Sequence, residues 1–383
     1  MTRAYSPGAK GNQVMNDPKR QTQLTRDFGH APDRIDQLAS PSTSRGIALE
    51  ILTSPDIMRD LLQTKLSKVH FDGLILGQCR PKVLKKHHTS SYVIAYTLTL
   101  LNKGGRHARC LELIGKAYAS GAMGERAYRT LQVLRVRGFG NGSLNVPTPL
   151  CYFSDLKLLI QESVCGLPLR QYLAWNDSAA SGRMRMVAHW LAKLHQIEAI
   201  PEGIGCHEED ESSLQNVAYR LGEQYPHLAS RLQELASSTW QRIACFKNTI
   251  PSVMVHGDFH PANIVVTRNG VTVIDFDQFR RSDPARDLGN IIVQMRNMAY
   301  FATGSLEASN PEIRAFLNAY FAAMSRAATE ALAGRIVAFA ALTFLESMCY
   351  ISCLRGECSG VLSTVPAEVD RFLRAATVGD IVE

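Results

Sequence analysis

The chain has 383 residues, of which 45% are hydrophobic and 20% are charged. This composition provides enough apolar side chains for a large buried core, and the length favours about two or three domains. The net charge is only +7, and no long basic segment indicates a nucleic-acid partner. Nine cysteines without a regular spacing argue against a disulfide scaffold.

The N-terminal segment, residues 1–45, is rich in Pro, Ser, Asp, Arg and Gln and has no apolar periodicity. This composition is typical of a disordered tail. The segment also lacks the apolar stretch of a signal peptide, and the longest apolar run, Ile336–Leu345, is too short to span a bilayer. We therefore expect a cytoplasmic protein that does not interact with membranes.

The next part of the chain predicts a helix followed by a small sheet. Apolar residues at helical spacing over Ile47–Leu66 indicate a leading helix. The sheet is predicted from strands at Ser90–Leu101, Arg109–Tyr118, Leu150–Tyr152 and Leu156–Glu162, with a helix at Gly124–Val136. The basic run Lys82–Lys86 is interpreted as the solvated face of a strand or loop. Beyond a Gly-Pro-containing break at Cys165–Pro168, the pattern is mostly helical.

One polar segment interrupts the helical region. His256-Gly257-Asp258 and Asn263 precede a short apolar strand, Ile264–Thr267, and Asp275-Phe276-Asp277 follows a second strand, Val271–Ile274. A hairpin between these strands would bring Asn263 and Asp275 side by side, with Asp258 within reach. A carboxylate that accepts a hydroxyl proton and oxygen ligands for Mg²⁺ are the groups that phosphoryl transfer from ATP requires.

These residues resemble a known family. The spacing matches the kinase catalytic loop and its metal-binding aspartate. Together with Val255–Ile264, Val273–Asp277 and Asp283–Gly289, it resembles the aminoglycoside phosphotransferase/choline kinase family, over about residues 70–350. The resemblance implies an α+β, protein-kinase-like two-lobed fold, with a small N-terminal antiparallel sheet plus a helix and a larger, mostly helical C-terminal lobe.

The resemblance also implies domains and catalytic roles. Residues 46–164 would form the ATP-binding lobe with the leading helix, and residues 165–383 the catalytic and substrate lobe. Asp258 would be the catalytic base, Asn263 and Asp275 would ligate Mg²⁺, and Asp277 would reach a second metal or the substrate. Asp287 would support the catalytic loop from beneath.

The nucleotide contacts follow from the same resemblance. Lys116 would pair with the α- and β-phosphates, with Glu125 as its ion-pair partner. The backbone carbonyl of Glu162 and the amide of Val164 would contact adenine, because the purine edge needs one acceptor and one donor. No Gly-x-Gly-x-x-Gly motif covers the phosphates, so the covering loop is unassigned within Gln78–Ser91.

The predicted function is therefore ATP- and Mg²⁺-dependent phosphorylation of a small-molecule hydroxyl, aminoglycoside-, choline- or sugar-like. Alternatives are a catalytically idle kinase-like nucleotide-binding protein and a metal-dependent hydrolase that uses His256, Asp258 and His260. A protein kinase is disfavoured by the missing Ala-Pro-Glu segment.

The sequence gives conflicting signals about the charge of the acceptor. Acidic residues 208–211 favour a cationic acceptor, whereas Arg280, Arg281 and Arg286 favour an anionic one. The sequence does not indicate the oligomeric state.

Overall fold

The computed structural model describes residues 49–71, 73–86, 91–174, 180–198, 209–246, 249, 251–355 and 359–382. The tail expected over residues 1–45 lies outside these ranges, and so do residues 87–90, within the stretch where the phosphate-covering loop was sought.

An antiparallel sheet of five strands forms the N-terminal part of the fold. The strands are β1 (Ile75–Lys86), β2 (Tyr92–Leu101), β3 (His107–Ala117), β5 (Pro149–Phe153) and β6 (Leu158–Glu162), in the spatial order β1-β2-β3-β6-β5. Side chains alternate between the faces of a strand, and β2 accordingly buries every second residue from Tyr92 to Leu100. These residues belong to the core between the sheet and the leading helices.

The leading helical segment is divided into α1 (Leu49–Thr53) and α2 (Pro55–His70). Ser54 separates them, since its hydroxyl accepts a hydrogen bond from the amide of Ile57 at 3.4 Å. Pro55 disfavours a helical conformation at the residue before it. The single helix expected over Ile47–Leu66 is thus two helices, which pack with the sheet in one core. A third helix, α3 (Gly121–Leu134), packs against β5 and β6.

The remainder of the described chain is mostly helical. The helices are α4 (Leu169–Ala174), α5 (Ala180–His195), α6 (Glu211–Gln224), α7 (Ala229–Ala244), α8 (Ala285–Thr303), α9 (Asn310–Ala323), α10 (Arg326–Arg355), α11 (Ser359–Arg374) and α12 (Gly379–Val382). Helix α10 lies at the centre, because it contacts α6, α7, α8 and α11. Its stretch Ala328–Ser352 is long and apolar enough to cross a membrane. However, 89% of its apolar part is buried inside the protein, as expected of a core helix.

Two small sheets carry the polar segment. One consists of β4 (Leu144–Asn145), β10 (Gly270–Val273), β9 (Ile264–Thr267) and β7 (Leu167–Pro168), in that order, and the other pairs β8 (Val253–Val255) with β11 (Arg280–Ser282). The β9–β10 hairpin predicted from the sequence is confirmed, with Val273 opposite Ile264. The two ends that carry Asn263 and Asp275 are therefore adjacent.

The sequence missed several elements. Strand β1 was not predicted, because its basic end carries none of the alternation of a half-buried strand. The two- and three-residue strands β4, β7, β8 and β11 are too short to leave a period. The division of the chain into two lobes at residue 165 stays a prediction. Tyr118, Leu131 and Leu159, which precede this position, pack into the same core as the helices that follow it.

We expect Tyr96→Phe to destabilise the N-terminal core. The buried Tyr96 hydroxyl donates a hydrogen bond to the carbonyl of Leu52 at 3.0 Å, and its removal leaves that carbonyl unsatisfied, at a cost of about 1–3 kcal/mol. Urea unfolding followed by circular dichroism measures the change. Tyr219→Phe is the control, since this side chain is 56% exposed, and equal stability of the two variants would contradict the prediction.

Candidate active site

The catalytic loop predicted from the sequence connects β8 to β9. Asp258 is buried within it, at 5% exposure. The side-chain amide nitrogen of Asn263, Nδ2, donates to the Asp258 backbone carbonyl at 3.0 Å and to the Asp258 Oδ2 at 3.2 Å. The second carboxylate oxygen, Oδ1, is buried and has no hydrogen-bond partner among the described residues. Since buried polar atoms are nearly always paired, this oxygen is available to accept a further hydrogen bond.

The charge of Asp258 suits a base. Burial alone raises the pKa of a carboxyl group, but the charge of His260 and its contact with Asp258 Oδ2 at 3.4 Å lower the pKa of Asp258 below its ordinary value. The carboxylate is therefore ionised at neutral pH and can accept a proton.

Gly257 is required by the shape of this loop. Its φ is +79°, in the left-handed region that glycine adopts most readily. A Cβ atom at this position would also lie 2.3 Å from the carbonyl oxygen of Gln278. The glycine between His256 and Asp258 is thus a steric requirement of the fold.

Asp287, on α8, anchors the same loop from below. Its Oδ2 accepts the amide of His256 at 2.7 Å, and its Oδ1 accepts the amide of Gly257 at 2.9 Å. His195 contacts Oδ2 at 3.3 Å and Tyr320 with its other ring nitrogen at 2.8 Å. Although burial raises the pKa of Asp287, the hydrogen bond and charge of His195 lower it below the ordinary value. The supporting position expected for Asp287 is confirmed.

The geometry disfavours the hydrolase alternative. His256 uses both ring nitrogens within the protein: Nε2 lies 3.0 Å from the carbonyl of Ile274, and Nδ1 accepts the amide of Asp258 at 3.3 Å. Burial lowers the pKa of His256, so the ring is a neutral part of the core. In the part of the chain that the structure describes, no three His, Cys, Asp or Glu side chains form a group that could hold a metal.

Asp275 follows β10 in a left-handed conformation, with φ of +69°. Residues other than glycine adopt this conformation rarely, and they do so most often at functional sites. The Lys116 ammonium, on β3, lies 2.6 Å from Asp275 Oδ1. Burial raises the pKa of Asp275, but the charge and hydrogen bond of Lys116 outweigh it and hold the pKa well below its usual range.

Lys116 also binds the second aspartate. Its ammonium lies 2.7 Å from Asp277 Oδ2, and the Tyr118 hydroxyl donates to Asp277 Oδ1 at 3.1 Å. Burial lowers the pKa of Lys116, but Asp275 and Asp277 together raise it above its ordinary value. The lysine is therefore charged, and the three predicted residues Lys116, Asp275 and Asp277 meet at one point.

The expected ion pair between Lys116 and Glu125 is not formed in this structure. Glu125 lies on α3 with half of its side chain exposed, and it pairs with Arg129 one turn along the helix. Lys116 pairs with Asp275 and Asp277 instead, because opposite charges attract more strongly in a buried, low-dielectric site than at an exposed one.

A cleft of about 760 Å³ adjoins these residues, a size typical of sites for small ligands. Its walls combine apolar side chains from the sheet and α3 with the polar groups of the loops: Lys82, Val83, Leu84, Lys85, Val93, Ile114, Lys116, Tyr118, Ala127, Leu131, Pro147, Leu159, Gln161, Arg170, Ala262, Asn263, Ile274, Asp275 and Phe276. The lining on β6 ends at Gln161, so Glu162 and Val164 lie just beyond the wall. Their contacts with adenine stay a prediction.

The basic run Lys82–Lys86 is exposed on β1, as expected of a solvated face. Lys82 and Lys85 also border the cleft, which was not predicted. The useful signal in the sequence was the density of lysines within Gln78–Ser91, the stretch in which the phosphate-covering loop was sought.

The conflicting charge signals for the acceptor largely cancel. Glu209 Oε1 lies 3.5 Å from Arg286 and 3.8 Å from Arg280, and Glu346 pairs with Arg286 at 2.8 Å. Asp210 caps α6 by accepting the amide of Ser213 at 2.8 Å, as acidic residues before helices commonly do. Glu209 and Glu346 therefore neutralise charge on Arg280 and Arg286, and Asp210 stabilises the start of a helix. Glu208 lies outside the described residues.

The sequence model of the phosphotransferase enzyme family matches residues 109–332, which include the catalytic loop, both aspartates and Lys116. The chain belongs to this family. The resemblance to aminoglycoside phosphotransferases and choline kinases is thus confirmed. No curated protein matches the chain in sequence.

Solved structures share the fold of this phosphotransferase. An ethanolamine kinase from Plasmodium vivax is 12% identical with a TM-score of 0.51, and the match covers 97% of this chain and 99% of that one. A choline kinase from Cryptosporidium parvum is 11% identical with a TM-score of 0.55, covering 83% and 94%. An amicoumacin kinase in complex with AMP-PNP, Ca²⁺ and Ami is 13% identical with a TM-score of 0.51, covering 82% and 94%. The α+β, protein-kinase-like fold is confirmed.

We expect Gly257→Ala to lower both stability and activity of this phosphotransferase. The new methyl group would displace Gln278 or the loop, at a cost of roughly 1–3 kcal/mol. The thermal unfolding midpoint measures the effect. Gly182→Ala, in helix α5 with no atom nearer than 3.8 Å to the added Cβ, is the control and should not lower the midpoint. A Gly257→Ala midpoint equal to that of the wild type would show that the loop tolerates a side chain.

The Asp287→Asn variant tests the contact of Asp287 with the loop, because the contribution of this contact to stability depends on pH. The lowered pKa of Asp287 means that its stabilisation is complete above the unfolded-state value of about 3.9 and is lost as the pH falls through the lower folded-state value. The wild type should unfold at a higher temperature than the variant at pH 7, and this difference should shrink as the pH falls below about 3.9. The exposed Asp155→Asn is the control, with a small difference throughout. A gap for Asp287→Asn that is independent of pH would contradict the assignment.

Proposed function

We propose that this protein transfers the γ-phosphoryl group of ATP, with Mg²⁺, to a hydroxyl group of a small molecule. The observation that carries the proposal is the convergence of Lys116, Asp275 and Asn263 on one cleft, with Asp258 hydrogen-bonded behind Asn263. Membership of the phosphotransferase enzyme family supports the reaction class.

The residues present suit a magnesium ion. Mg²⁺ binds hard oxygen donors from one or two carboxylates and retains several waters. Asp275 supplies an ionised carboxylate at the cleft. Asn263 uses its amide nitrogen for Asp258, so its amide oxygen is the atom left for the metal. When bound, the metal neutralises charge on the phosphates and on the transferred group.

The chain's own groups have separate tasks in this proposal. Lys116 lies at the cleft and would hold the phosphates of the nucleotide through its ammonium. Asp258, whose Oδ1 has no hydrogen-bond partner among the described residues, would orient the attacking hydroxyl and accept its proton. Asp287 fixes the loop that carries Asp258, and this preorganisation lowers the cost of reaching the reactive geometry.

The acceptor is proposed to be a small hydroxylated molecule, aminoglycoside-, choline- or sugar-like. The names of the structural neighbours include ethanolamine, choline and amicoumacin kinases, which act on small molecules. The pairing of Arg280 and Arg286 with Glu209 and Glu346 argues against a strongly anionic acceptor. An idle nucleotide-binding protein is disfavoured because Lys116, Asp258, Asn263 and Asp275 are all present and gathered at one site.

Asp258→Asn should slow transfer strongly while leaving nucleotide binding intact. Amides accept protons poorly, and the loss of a general base commonly slows a reaction by about 10²–10⁴-fold. ADP release is measured with a panel of amino alcohols, aminoglycosides and sugars, and ATP affinity by calorimetry. Asp155→Asn, at an exposed position, is the matched control and should retain full activity.

The Asp275→Ala variant tests the proposed metal ligand independently of the proposed base. This variant should lose Mg²⁺-dependent turnover because it lacks the metal carboxylate. If the wild type neither binds ATP nor releases ADP with any acceptor, the proposed function is wrong. If Asp258→Asn retains wild-type turnover, the reaction class stands but the base assignment falls.

A further inference from the structure

A β-bulge turns one lysine of β1 toward the cleft. Val83 pairs with Ile94 of β2, but the next pair is Lys85 with Val93, so Leu84 is an extra residue in β1. In an unbroken register Lys85 would pair with Tyr92, whose side chain belongs to the core beneath the leading helices. The bulge therefore moves Lys85 to the opposite face of the sheet, as bulges beside active sites often do.

The register then places Lys85 in one cross-strand row with Lys116. Lys85 is opposite Val93, Val93 is opposite Lys116, and Lys116 is opposite Leu159. Residues directly opposite one another share a face of the sheet. With strands about 4.8 Å apart, the two lysines are separated by a single intervening strand, and all four residues border the cleft.

Lys85 is exposed at the rim of the cleft, and groups of both charge signs surround it. Partial desolvation by the cleft walls is the main cause that lowers the pKa of Lys85, with Lys116 and Arg170 adding repulsion, while Asp275 and Asp258 act in the opposite direction. An ammonium near other cations gains stability from a bound polyanion. The phosphates of a nucleotide are such a polyanion.

We propose that Lys85 is a phosphate-binding residue that, with Lys116, holds the polyphosphate of the nucleotide from the side of β1. The proposal rests on the proposed function and adds a residue to it. Lys85 lies at the end of β1, and no glycine-rich motif is present in the sequence there. A side-chain cation thus takes over a task that backbone amides of a glycine-rich loop perform in other kinases.

A plainer explanation exists for lysines on β1. This strand lies at the edge of the sheet, and natural edge strands carry lysines that prevent pairing with other chains. Lys86 fits that explanation, since it borders no part of the cleft. The two neighbouring lysines therefore form a matched pair, one in the cleft and one outside it.

The test compares Lys85→Met with Lys86→Met in the full-length protein. Equilibrium dissociation constants are measured by calorimetry for ATP and for adenosine, which lacks phosphates. We expect Lys85→Met to bind ATP about tenfold more weakly, as for loss of one hydrogen bond to a charged group, and to bind adenosine as the wild type does. Lys85→Arg should restore most of the ATP affinity, and Lys86→Met should leave both constants unchanged.

Each outcome is decisive for the lysine. Unchanged ATP binding by Lys85→Met, in a protein where Lys116→Met loses affinity, overturns the inference and leaves the proposed function standing. Equal losses in Lys85→Met and Lys86→Met show a general effect of surface charge and also overturn it. If wild-type protein binds no ATP, the proposed function fails first and the inference fails with it. Lys85→Gln replaces Lys85→Met if the thermal midpoint shows that the latter is unfolded.

Discussion

The catalytic loop depends on a single buried carboxylate. Asp287 accepts the backbone amides of both His256 and Gly257, two groups that a tight left-handed turn removes from ordinary secondary structure. A buried amide without a partner would be costly, so the turn and the aspartate require each other. Through this contact helix α8 fixes the loop that carries Asp258, the proposed base, so the position of Asp258 depends on the packing of the helical core.

The features that were predicted correctly are local in sequence. The β9–β10 hairpin follows from two short apolar strands around a turn, and the hairpin by itself brings Asn263 beside Asp275. The glycine of His256-Gly257-Asp258 is explained by its positive φ and by the closeness of Gln278. Strands β2 and β3 were also recognised, because β2 is rich in the Tyr, Val, Ile and Thr residues that favour strands and β3 follows it along the chain.

The features that were missed depend on contacts between distant parts of the chain. Lys116 pairs with Asp275 and Asp277 across about 160 residues, and no helical spacing signals this, whereas Glu125 was expected because it is near in sequence. The pairing of Glu209 with Arg286 likewise joins a loop to a distant helix. The bulge at Leu84 could not be predicted either. A one-residue shift moves the following side chains to the other face, but the exposed end of β1 has no alternation in which this change would be visible.

The position of Lys116 has a consequence for how the two ligands of the proposed reaction interact. In the structure this ammonium neutralises both aspartates of the Asp275-Phe276-Asp277 segment. A divalent cation that took over one of those carboxylates would release the lysine for phosphate, and a nucleotide that engaged the lysine would expose the carboxylates to a cation. Such reciprocal exchange is a thermodynamic coupling: each ligand would raise the affinity of the protein for the other, through one shared side chain and without a change of fold.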